Sequence, residues 1–355
     1  MSIAEIARPD IRGLRPYEAA AQVEDTIRLN ANEASWRSGC DEFHRPLNRY
    51  PEIRPVKLRQ LLAARYDCGT ENLLVTRGTS EAIDLLMRVF CTAGVDNIVT
   101  ATPTFSMYKH YAIVQGAGFH NVETNGDNDF AIDPVQILSA CNEQTKLVFV
   151  CSPNNPTGTL VPEDTLRRII DGRRGRSIVV IDEAYIEFAE SASAVELLAS
   201  CDNLVVLRTL SKALAFAGAR CGSIIGNPEI IGMLDAVQAP YALATPVVEC
   251  VENALQGNAL ADARQHVAET VDERHRLEEE LVKLSFVSRI WPSAANFLLV
   301  AVDDADALMR HCRSDNLLLR YFGGELANCV RISVGSRAEN DRLLESLSRM
   351  ESRDG

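Results

Sequence analysis

Residues 203–222 read NLVVLRTLSKALAFAGARCG and set the expectations for the rest of the chain. Residues 204–207 are aliphatic, which is typical of a buried strand. Lys212 comes just past the carboxyl end of that strand, where open α/β sheets form their ligand crevice. Its neighbours in sequence are small or apolar, so desolvation should lower the pKa of its amine and make it a nucleophile. An ordinary surface lysine is the alternative.

Composition indicates a globular chain. Its 355 residues are enough for two domains and a sizeable core. The net charge of −13 argues against nucleic acid or an anionic membrane as a partner. Ten cysteines without a CxxC spacing indicate reduced thiols in a cytoplasmic protein and disfavour a structural metal. Neither a signal peptide nor an apolar run of membrane-spanning length is expected.

Polar groups follow three successive apolar segments. The predicted buried strands cover residues 146–151, 178–181 and 204–207. The turn SPNNPTG (152–158), Asp182 and Lys212 follow them in that order. Right-handed crossovers place the carboxyl ends of parallel strands on one edge of a sheet, so we expect Asn155, Asp182 and Lys212 to converge there. A helix cap or a surface turn is the other interpretation of Asp182.

An anion site and an aromatic cluster are predicted upstream. Thr79 and Ser80 follow a glycine and begin an amphipathic helix, and the N–H groups of such a helix start attract a phosphate. Phe105 and Tyr108 follow another predicted strand, where a flat cofactor could stack on an aromatic ring. An ordinary N-cap and plain core packing are the alternatives.

The last seventy residues predict a second, smaller α+β domain after a mostly helical stretch at 228–285. Arg320 and Arg331 lie at or inside apolar strands, and an arginine in such a place usually meets an anion. The motifs GxGxxG and GxxxxGK[ST] are absent, which disfavours dinucleotide and nucleoside triphosphate cofactors.

These residue types suit pyridoxal 5′-phosphate. A lysine amine can form a Schiff base, and an aspartate keeps the pyridine nitrogen protonated so that the ring can accept electrons. An asparagine amide can bond to the ring hydroxyl oxygen. The helix start at Thr79 and Ser80, together with Ser211 and Arg220, can hold the phosphate.

The sequence resembles the fold-type I pyridoxal-phosphate aminotransferases over nearly its whole length. The resemblance rests on TLSKALAFAG (209–218), SPNNPTG (152–158), VIDEAY (180–185) and AGARCG (217–222). NRYPE (48–52), LNANE (29–33) and LRPYE (14–18) are similar to the histidinol-phosphate branch. The resemblance implies an α/β fold with a mostly parallel central sheet, helices on both faces and a smaller α+β domain. It implies an N-terminal arm at 1–44 that is part of the small domain, a large cofactor-binding domain at 45–257 and a small domain at 258–355.

The resemblance also implies roles for individual residues. Lys212 would form the Schiff base and move the proton, Asp182 would pair with the pyridine nitrogen, and Asn155 and Tyr185 would bond to the ring oxygen. The other cofactor contacts would come from Thr79, Ser80, Phe105, Thr209, Ser211, Arg220 and, in a homodimer, Tyr50 of the partner subunit. The substrate's anion cage would consist of Tyr17, Tyr108, Tyr241, Arg320 and Arg331.

The implied reaction converts L-histidinol phosphate and 2-oxoglutarate to imidazole acetol phosphate and L-glutamate in histidine biosynthesis. An aromatic amino-acid aminotransferase or a related decarboxylase on the same fold is the first alternative, and a cofactor-binding protein without turnover is the second. The sequence departs from the branch at two places: Phe105 stands where tyrosine is frequent, and the segment 321–330 is shorter than in some relatives.

Overall fold

The computed structural model describes residues 3–18, 20–22 and 26–354, without the side chains of 352–354. Residues 1, 2, 19 and 23–25 of the predicted arm, and residue 355 of the predicted small domain, lie outside the described residues. None of the helices in these ranges combines the length and the apolar character needed to cross a membrane.

The larger of two sheets has seven strands in the described part of the chain. They are β1 (Leu73–Thr76), β2 (Asn97–Thr102), β3 (Gly118–Glu123), β4 (Thr145–Cys151), β5 (Ile178–Asp182), β6 (Leu204–Thr209) and β7 (Gly222–Gly226). Their order is β1-β7-β6-β5-β4-β2-β3. The pairs among β2 to β6 are parallel, whereas β7 runs antiparallel to β1 and β6. The mostly parallel sheet is confirmed, and β4, β5 and β6 lie side by side.

Helices cover both faces of this sheet because its strands are apolar on both sides. Val148 and Val150 of β4 belong to one buried cluster, and Leu147 and Phe149 belong to the other. The α-helices of the described residues are α1 (Ile3–Ile6), α2 (Val56–Arg65), α3 (Gly78–Phe90), α4 (Met107–Gln115), α5 (Pro134–Ala140), α6 (Glu163–Gly172), α7 (Pro228–Val237), α8 (Thr245–Ala254), α9 (Ala259–Leu281), α10 (Ala305–Ser314) and α11 (Arg337–Asp354). Strands buried on both faces read as continuous apolar runs, which is why they were predictable.

The smaller sheet is antiparallel and has its own core. Its strands are β8 (Val287–Ile290), β9 (Phe297–Val302), β10 (Arg320–Gly323) and β11 (Leu326–Ser333), in the order β10-β11-β9-β8. α10, α11 and the C-terminal end of α9 cover it. β10 begins at Arg320, so the apolar residues 317–319 that precede it lie outside the strand.

α9 joins the two cores. Leu260 and Val267 near its start pack against a cluster of the larger sheet, whereas Leu277 and Leu281 near its end are buried under the smaller one. Its 23 residues span about 35 Å at 1.5 Å per residue.

The start of the arm packs differently from the prediction. Ile3 and Ile6 of α1 are buried in the cluster that holds α3 and α7, on the larger sheet. The predicted assignment of the arm to the small domain therefore fails for α1, because helices that pack on the larger sheet cover the apolar side chains of α1. The domain boundaries at 44/45 and 257/258 stay a prediction.

Candidate active site

The carboxyl ends of β4, β5 and β6 open into a cavity of about 290 Å³. Asn155, Asp182 and Lys212 all line it, as the order of strands and crossovers predicted. The remaining lining residues are Thr79, Ser80, Phe105, Cys151, Ala184, Tyr185, Thr209, Ser211, Ala217, Arg220 and Arg331. Most of the residues expected to hold a cofactor are therefore brought together at one edge of the sheet.

Asp182 is the last residue of β5 and is only 2% exposed. One of its oxygens accepts a hydrogen bond of 2.8 Å from the Tyr108 hydroxyl, and the other accepts one from the Ala184 N–H. Burial raises the pKa of Asp182 to about 6, although both hydrogen bonds favour the ionised form. A carboxylate has about four acceptor positions, so capacity remains for a donor in the cavity.

Lys212 lies in the turn that follows β6, and its side chain is open to the cavity. Desolvation lowers the pKa of its amine, and the positive charges of Arg331 and Arg220 lower it further. The Nζ atom lies 5.7 Å from the centre of the Tyr185 ring. The neutral amine is thus favoured more than in water, as expected for a nucleophile.

A hydrogen-bonded chain crosses the cavity from the larger sheet to the smaller. The Asn155 amide donates 3.2 Å to the Tyr185 hydroxyl, and Arg331 of β11 donates to the Asn155 amide oxygen. The Arg331 guanidinium also lies 5.1 Å from the centre of the Phe297 ring. Its Nε atom is buried and has no hydrogen-bond partner among the described residues, so a donor is left for an anion.

The start of α3 and Arg220 form a compact cradle. Gly78 has a φ of +75°, and a Cβ added there would come 2.8 Å from an Nη atom of Arg220. The backbone therefore approaches the guanidinium more closely than any other residue would allow. Thr79 and Ser80 lie in the first turn of α3, where backbone N–H groups have no acceptor within the helix and the helix dipole favours an anion. Such an arrangement suits a phosphate.

Thr209 and Ser211 fix the turn that carries Lys212. The Thr209 hydroxyl accepts the Ser211 N–H at 3.1 Å and lies 2.9 Å from the Ser211 hydroxyl. Phe105 stands on another wall and meets the Tyr108 ring edge-to-face, with ring centres 5.7 Å apart. Phe105 thus offers an aromatic wall without a hydroxyl group.

Five predicted residues lie elsewhere. Tyr108 is fully buried and bonded to Asp182, so it supports that carboxylate and does not reach a substrate in the cavity. The reason is that α4 turns its ring inward onto Phe149, at 4.7 Å between ring centres. The other four predicted residues that do not line the Lys212 cavity are Tyr17, Tyr50, Tyr241 and Arg320.

Two of these tyrosines share a second groove. Tyr17 and Tyr50 line a space of about 910 Å³ together with Arg28 and Arg49. Tyr17 is 59% exposed and Tyr50 is 50% exposed. The Tyr50 ring stacks on Tyr241 at 4.7 Å between ring centres.

Cys151 was missed by the sequence analysis. It ends β4 directly beside Asp182 in the sheet register and lines the cavity. Burial raises the pKa of its thiol well above the ordinary value, so it is a neutral, apolar part of the wall. Its position in the sequence could have revealed it. Cys151 is the last residue of a predicted buried strand, and the ends of the next two strands are followed by Asp182 and by the turn to Lys212.

The aminotransferase class I and II family matches residues 22–347, and the chain belongs to this family. Members of the family depend on pyridoxal 5′-phosphate. The described residues fit this cofactor: Asp182 keeps acceptor capacity, Lys212 has a desolvated amine, and the glycine at position 78 leaves room for the Arg220 cradle.

Similar proteins carry a more specific name. Histidinol-phosphate aminotransferase of Xanthomonas euvesicatoria pv. vesicatoria is 40% identical over 354 residues, which is 98% of this chain and 97% of that protein. The protein of the same name from Xylella fastidiosa is 41% identical over 352 residues, with 98% and 96% covered. The structure of histidinol-phosphate aminotransferase from Sinorhizobium meliloti in complex with pyridoxal-5′-phosphate is 22% identical, has a TM-score of 0.78 and covers 87% of this chain and 84% of that one. This last likeness concerns the fold.

Proposed function

We propose that this protein transfers the amino group of L-histidinol phosphate to 2-oxoglutarate, giving imidazole acetol phosphate and L-glutamate in histidine biosynthesis. The proposal is supported by relatives of that name at 40% and 41% identity over 98% of the chain. The observation that carries it is that Lys212, Asp182, Arg220 and Arg331 all line the same cavity. We place the reaction in the cytoplasm.

When bound, pyridoxal 5′-phosphate would supply an aldehyde carbon and a protonated ring that accepts the electron pair released at the substrate carbon. Asp182 would hold the ring nitrogen protonated, because a buried carboxylate beside it favours a positive charge. Asn155 and Tyr185 would orient the ring through its hydroxyl oxygen. Thr79, Ser80 and Arg220 would hold the phosphate at the start of α3.

Lys212 would carry the proton. Its Nζ would be the nucleophile that holds the cofactor, and its amine would take the proton from the substrate carbon and move it within the site. The lowered pKa of the amine favours the neutral form that this step needs. Cys151 and Phe105 contribute apolar surface to the wall of this cavity.

Arg331 would select the substrates. Histidinol phosphate has a phosphate and no α-carboxylate, whereas glutamate has two carboxylates, and a guanidinium matches either oxygen pair. Arg320 stands directly opposite Arg331 in the β10–β11 register, so two positive charges are neighbours across the strands. Arg331, which lines the cavity, can therefore accept both anions in turn, and we expect ping-pong kinetics.

We further propose a homodimer in which Tyr50 reaches the cofactor phosphate of the other subunit. Tyr50 does not line the Lys212 cavity of its own chain within the described residues. Apolar side chains around it are exposed, and the arm residues Ile27, Leu29 and Trp36 are 89%, 91% and 72% exposed. A second copy would cover such a surface, since exposed apolar patches of this kind mark association sites.

A visible absorption titration tests the reaction. The cofactor-loaded protein receives L-histidinol phosphate alone, and a second sample receives phenylalanine alone. We expect histidinol phosphate to bleach the cofactor band at far lower concentration, and 2-oxoglutarate to restore the band. Equal or better bleaching by phenylalanine would assign the chain to aromatic substrates instead, and carbon dioxide release would indicate a decarboxylase.

A further inference from the structure

Glu33 holds the segment that carries Tyr50. One of its carboxylate oxygens accepts the Tyr50 backbone N–H at 2.8 Å and is also paired with Arg28, and the other accepts an Nη–H of Arg49 at 2.8 Å. The Glu33 side chain is only 3% exposed. Burial alone would raise the pKa of Glu33, but the Tyr50 N–H, Arg49 and Arg28 together hold it below the ordinary value.

The arrangement joins two sequence motifs, of which only the second has a role in the proposed reaction. Glu33 is the last residue of LNANE, and Tyr50 lies inside NRYPE. Residues 29–33 do not line the Lys212 cavity. A buried carboxylate with three donors is a fixed point, because displacing it would leave two guanidinium groups and an N–H without their acceptor. The backbone of Tyr50 is therefore tied to the arm.

The Tyr50 side chain is held from a second side. Its ring stacks on Tyr241 at 4.7 Å with the planes 21° apart, while half of the side chain stays exposed. Tyr241 itself has a φ of +56°, a backbone conformation that few residues other than glycine adopt. Glu33 thus sets the position of the Tyr50 backbone and Tyr241 sets the plane of its ring. Tyr50 does not line the Lys212 cavity of its own chain.

We propose that Glu33 is a positioning residue that presents Tyr50 to the cavity of the partner subunit, with Tyr241 as the second support. This inference rests on the proposed homodimer and gives the LNANE motif its role in the reaction. Glu33 would touch neither substrate nor cofactor. Its effect would appear in the affinity of the neighbouring subunit for the cofactor phosphate.

A double-mutant cycle tests the link between the two residues. In Glu33→Gln the amide keeps the volume and one acceptor but loses the charge that pairs with both arginines. We expect its pyridoxal-phosphate dissociation constant to rise about five- to tenfold, the effect of one hydrogen bond. Tyr50→Phe should show a similar rise, and the double variant should be no worse than Tyr50→Phe alone, because coupled residues are not additive.

Glu52→Gln is the matched control for this cycle. Its carboxylate lies two residues from Tyr50 and accepts the Val56 N–H at 2.8 Å, so it caps α2 without bonding to Tyr50. Thermal unfolding of each variant separates positioning from loss of fold. An additive double variant, or a Glu52→Gln effect as large as that of Glu33→Gln, would overturn the proposed positioning.

Hybrid dimers show in which subunit Glu33 acts. Co-expression with two affinity tags gives a first hybrid of Glu33→Gln with Lys212→Ala, and a second of the unsubstituted chain with the double variant Glu33→Gln/Lys212→Ala. In both hybrids only one cavity retains its lysine. That cavity receives a normally held Tyr50 in the first hybrid and a loosened Tyr50 in the second.

We expect the first hybrid to bind cofactor like a reference hybrid of the unsubstituted chain with Lys212→Ala, and the second to bind about five- to tenfold more weakly. The reverse order would place the action of Glu33 in its own cavity and overturn the inference. Failure of the reference hybrid to assemble would overturn the dimer itself. Assembly of a reference hybrid that binds histidinol phosphate poorly would instead count against the proposed substrate.

Discussion

Tyr108 donates a hydrogen bond of 2.8 Å to Asp182, and both side chains are almost completely buried. The same ring stacks on Phe149 and meets Phe105 at its edge. One tyrosine therefore supports the carboxylate at the end of β5 and an aromatic wall of the cavity. Its hydroxyl can donate to Asp182 because burial holds the pKa of Tyr108 well above the ordinary value and keeps it protonated.

Tyr108→Phe should shift the pH dependence of cofactor binding. Burial raises the pKa of Asp182 to about 6, and the ionised form, which binds the cofactor better, predominates above that pH. Removing the hydrogen bond that favours ionisation raises this pKa, so the loss of affinity on acidification should begin at higher pH. Dissociation constants between pH 5 and 8 measure the shift. Tyr111→Phe, a partly exposed neighbour, is the control, and an unshifted profile in Tyr108→Phe would contradict the assignment.

Lys212→Ala should lower turnover by about 10⁴-fold, the upper range for a group that transfers protons. The fold should persist, because the side chain is open to the cavity and fills no core. Steady-state assays without added amine measure the loss. Lys283→Ala, which removes an exposed ion pair with Glu280, should leave the rate unchanged. Appreciable turnover of the first variant would remove Lys212 from its proposed role.

Gly78→Ala should weaken cofactor binding by about tenfold, because the new Cβ would lie 2.8 Å from Arg220 and push the guanidinium away. Gly94→Ala separates this collision from backbone strain. Gly94 has a φ of +71° and nothing within 4 Å of an added Cβ, so both variants carry about 1–2 kcal/mol of left-handed strain. Equal cofactor affinity in the two variants would show that the cradle does not bind the phosphate.

Arg208→Met should lower the free energy of unfolding by about 3 kcal/mol. The buried Arg208 pairs with Glu183 at 3.3 Å and Glu187 at 2.7 Å. Its removal leaves Glu183 without a cation and Glu187 with only the more distant Arg65, at 3.9 Å. Arg174→Met removes exposed ion pairs and should cost no more than about 0.5 kcal/mol. Urea unfolding monitored by circular dichroism gives both values. Similar values for the two would mean that water compensates Glu183 and Glu187.

The strands that form the cavity edge were predictable, whereas two strands of the same sheet were not. β4, β5 and β6 are buried on both faces and therefore appear as unbroken aliphatic runs. β3 is an edge strand with exposed polar residues such as His120 and Asn121, so it carries no apolar signal. β7 is short and has glycine at both ends, which favours a turn in a sequence pattern.

Within the site, residues at strand ends and Tyr185 in the turn after β5 could be placed, but Tyr108 on α4 could not. Lys212 and Asp182 follow from strand order alone. Tyr108 was expected to face a substrate, and its inward turn depends on how α4 packs against Phe149, which the sequence does not encode locally. The pattern of the LNANE motif does not predict the contact of Glu33, because a carboxylate that bonds to a backbone N–H 17 residues away leaves no periodic signal.

α9 connects the sheet that carries the proposed catalytic residues with the sheet that carries the proposed substrate-binding arginine. Lys212 and Asp182 belong to the sheet at one end of the helix, and Arg331 belongs to the sheet at the other. Under the proposed roles, the first sheet fixes the reaction and the second recognises the compound that undergoes it. Mutations in the part of the chain that follows α9 would therefore change which substrate a descendant protein accepts, while the residues that carry out the reaction stay the same.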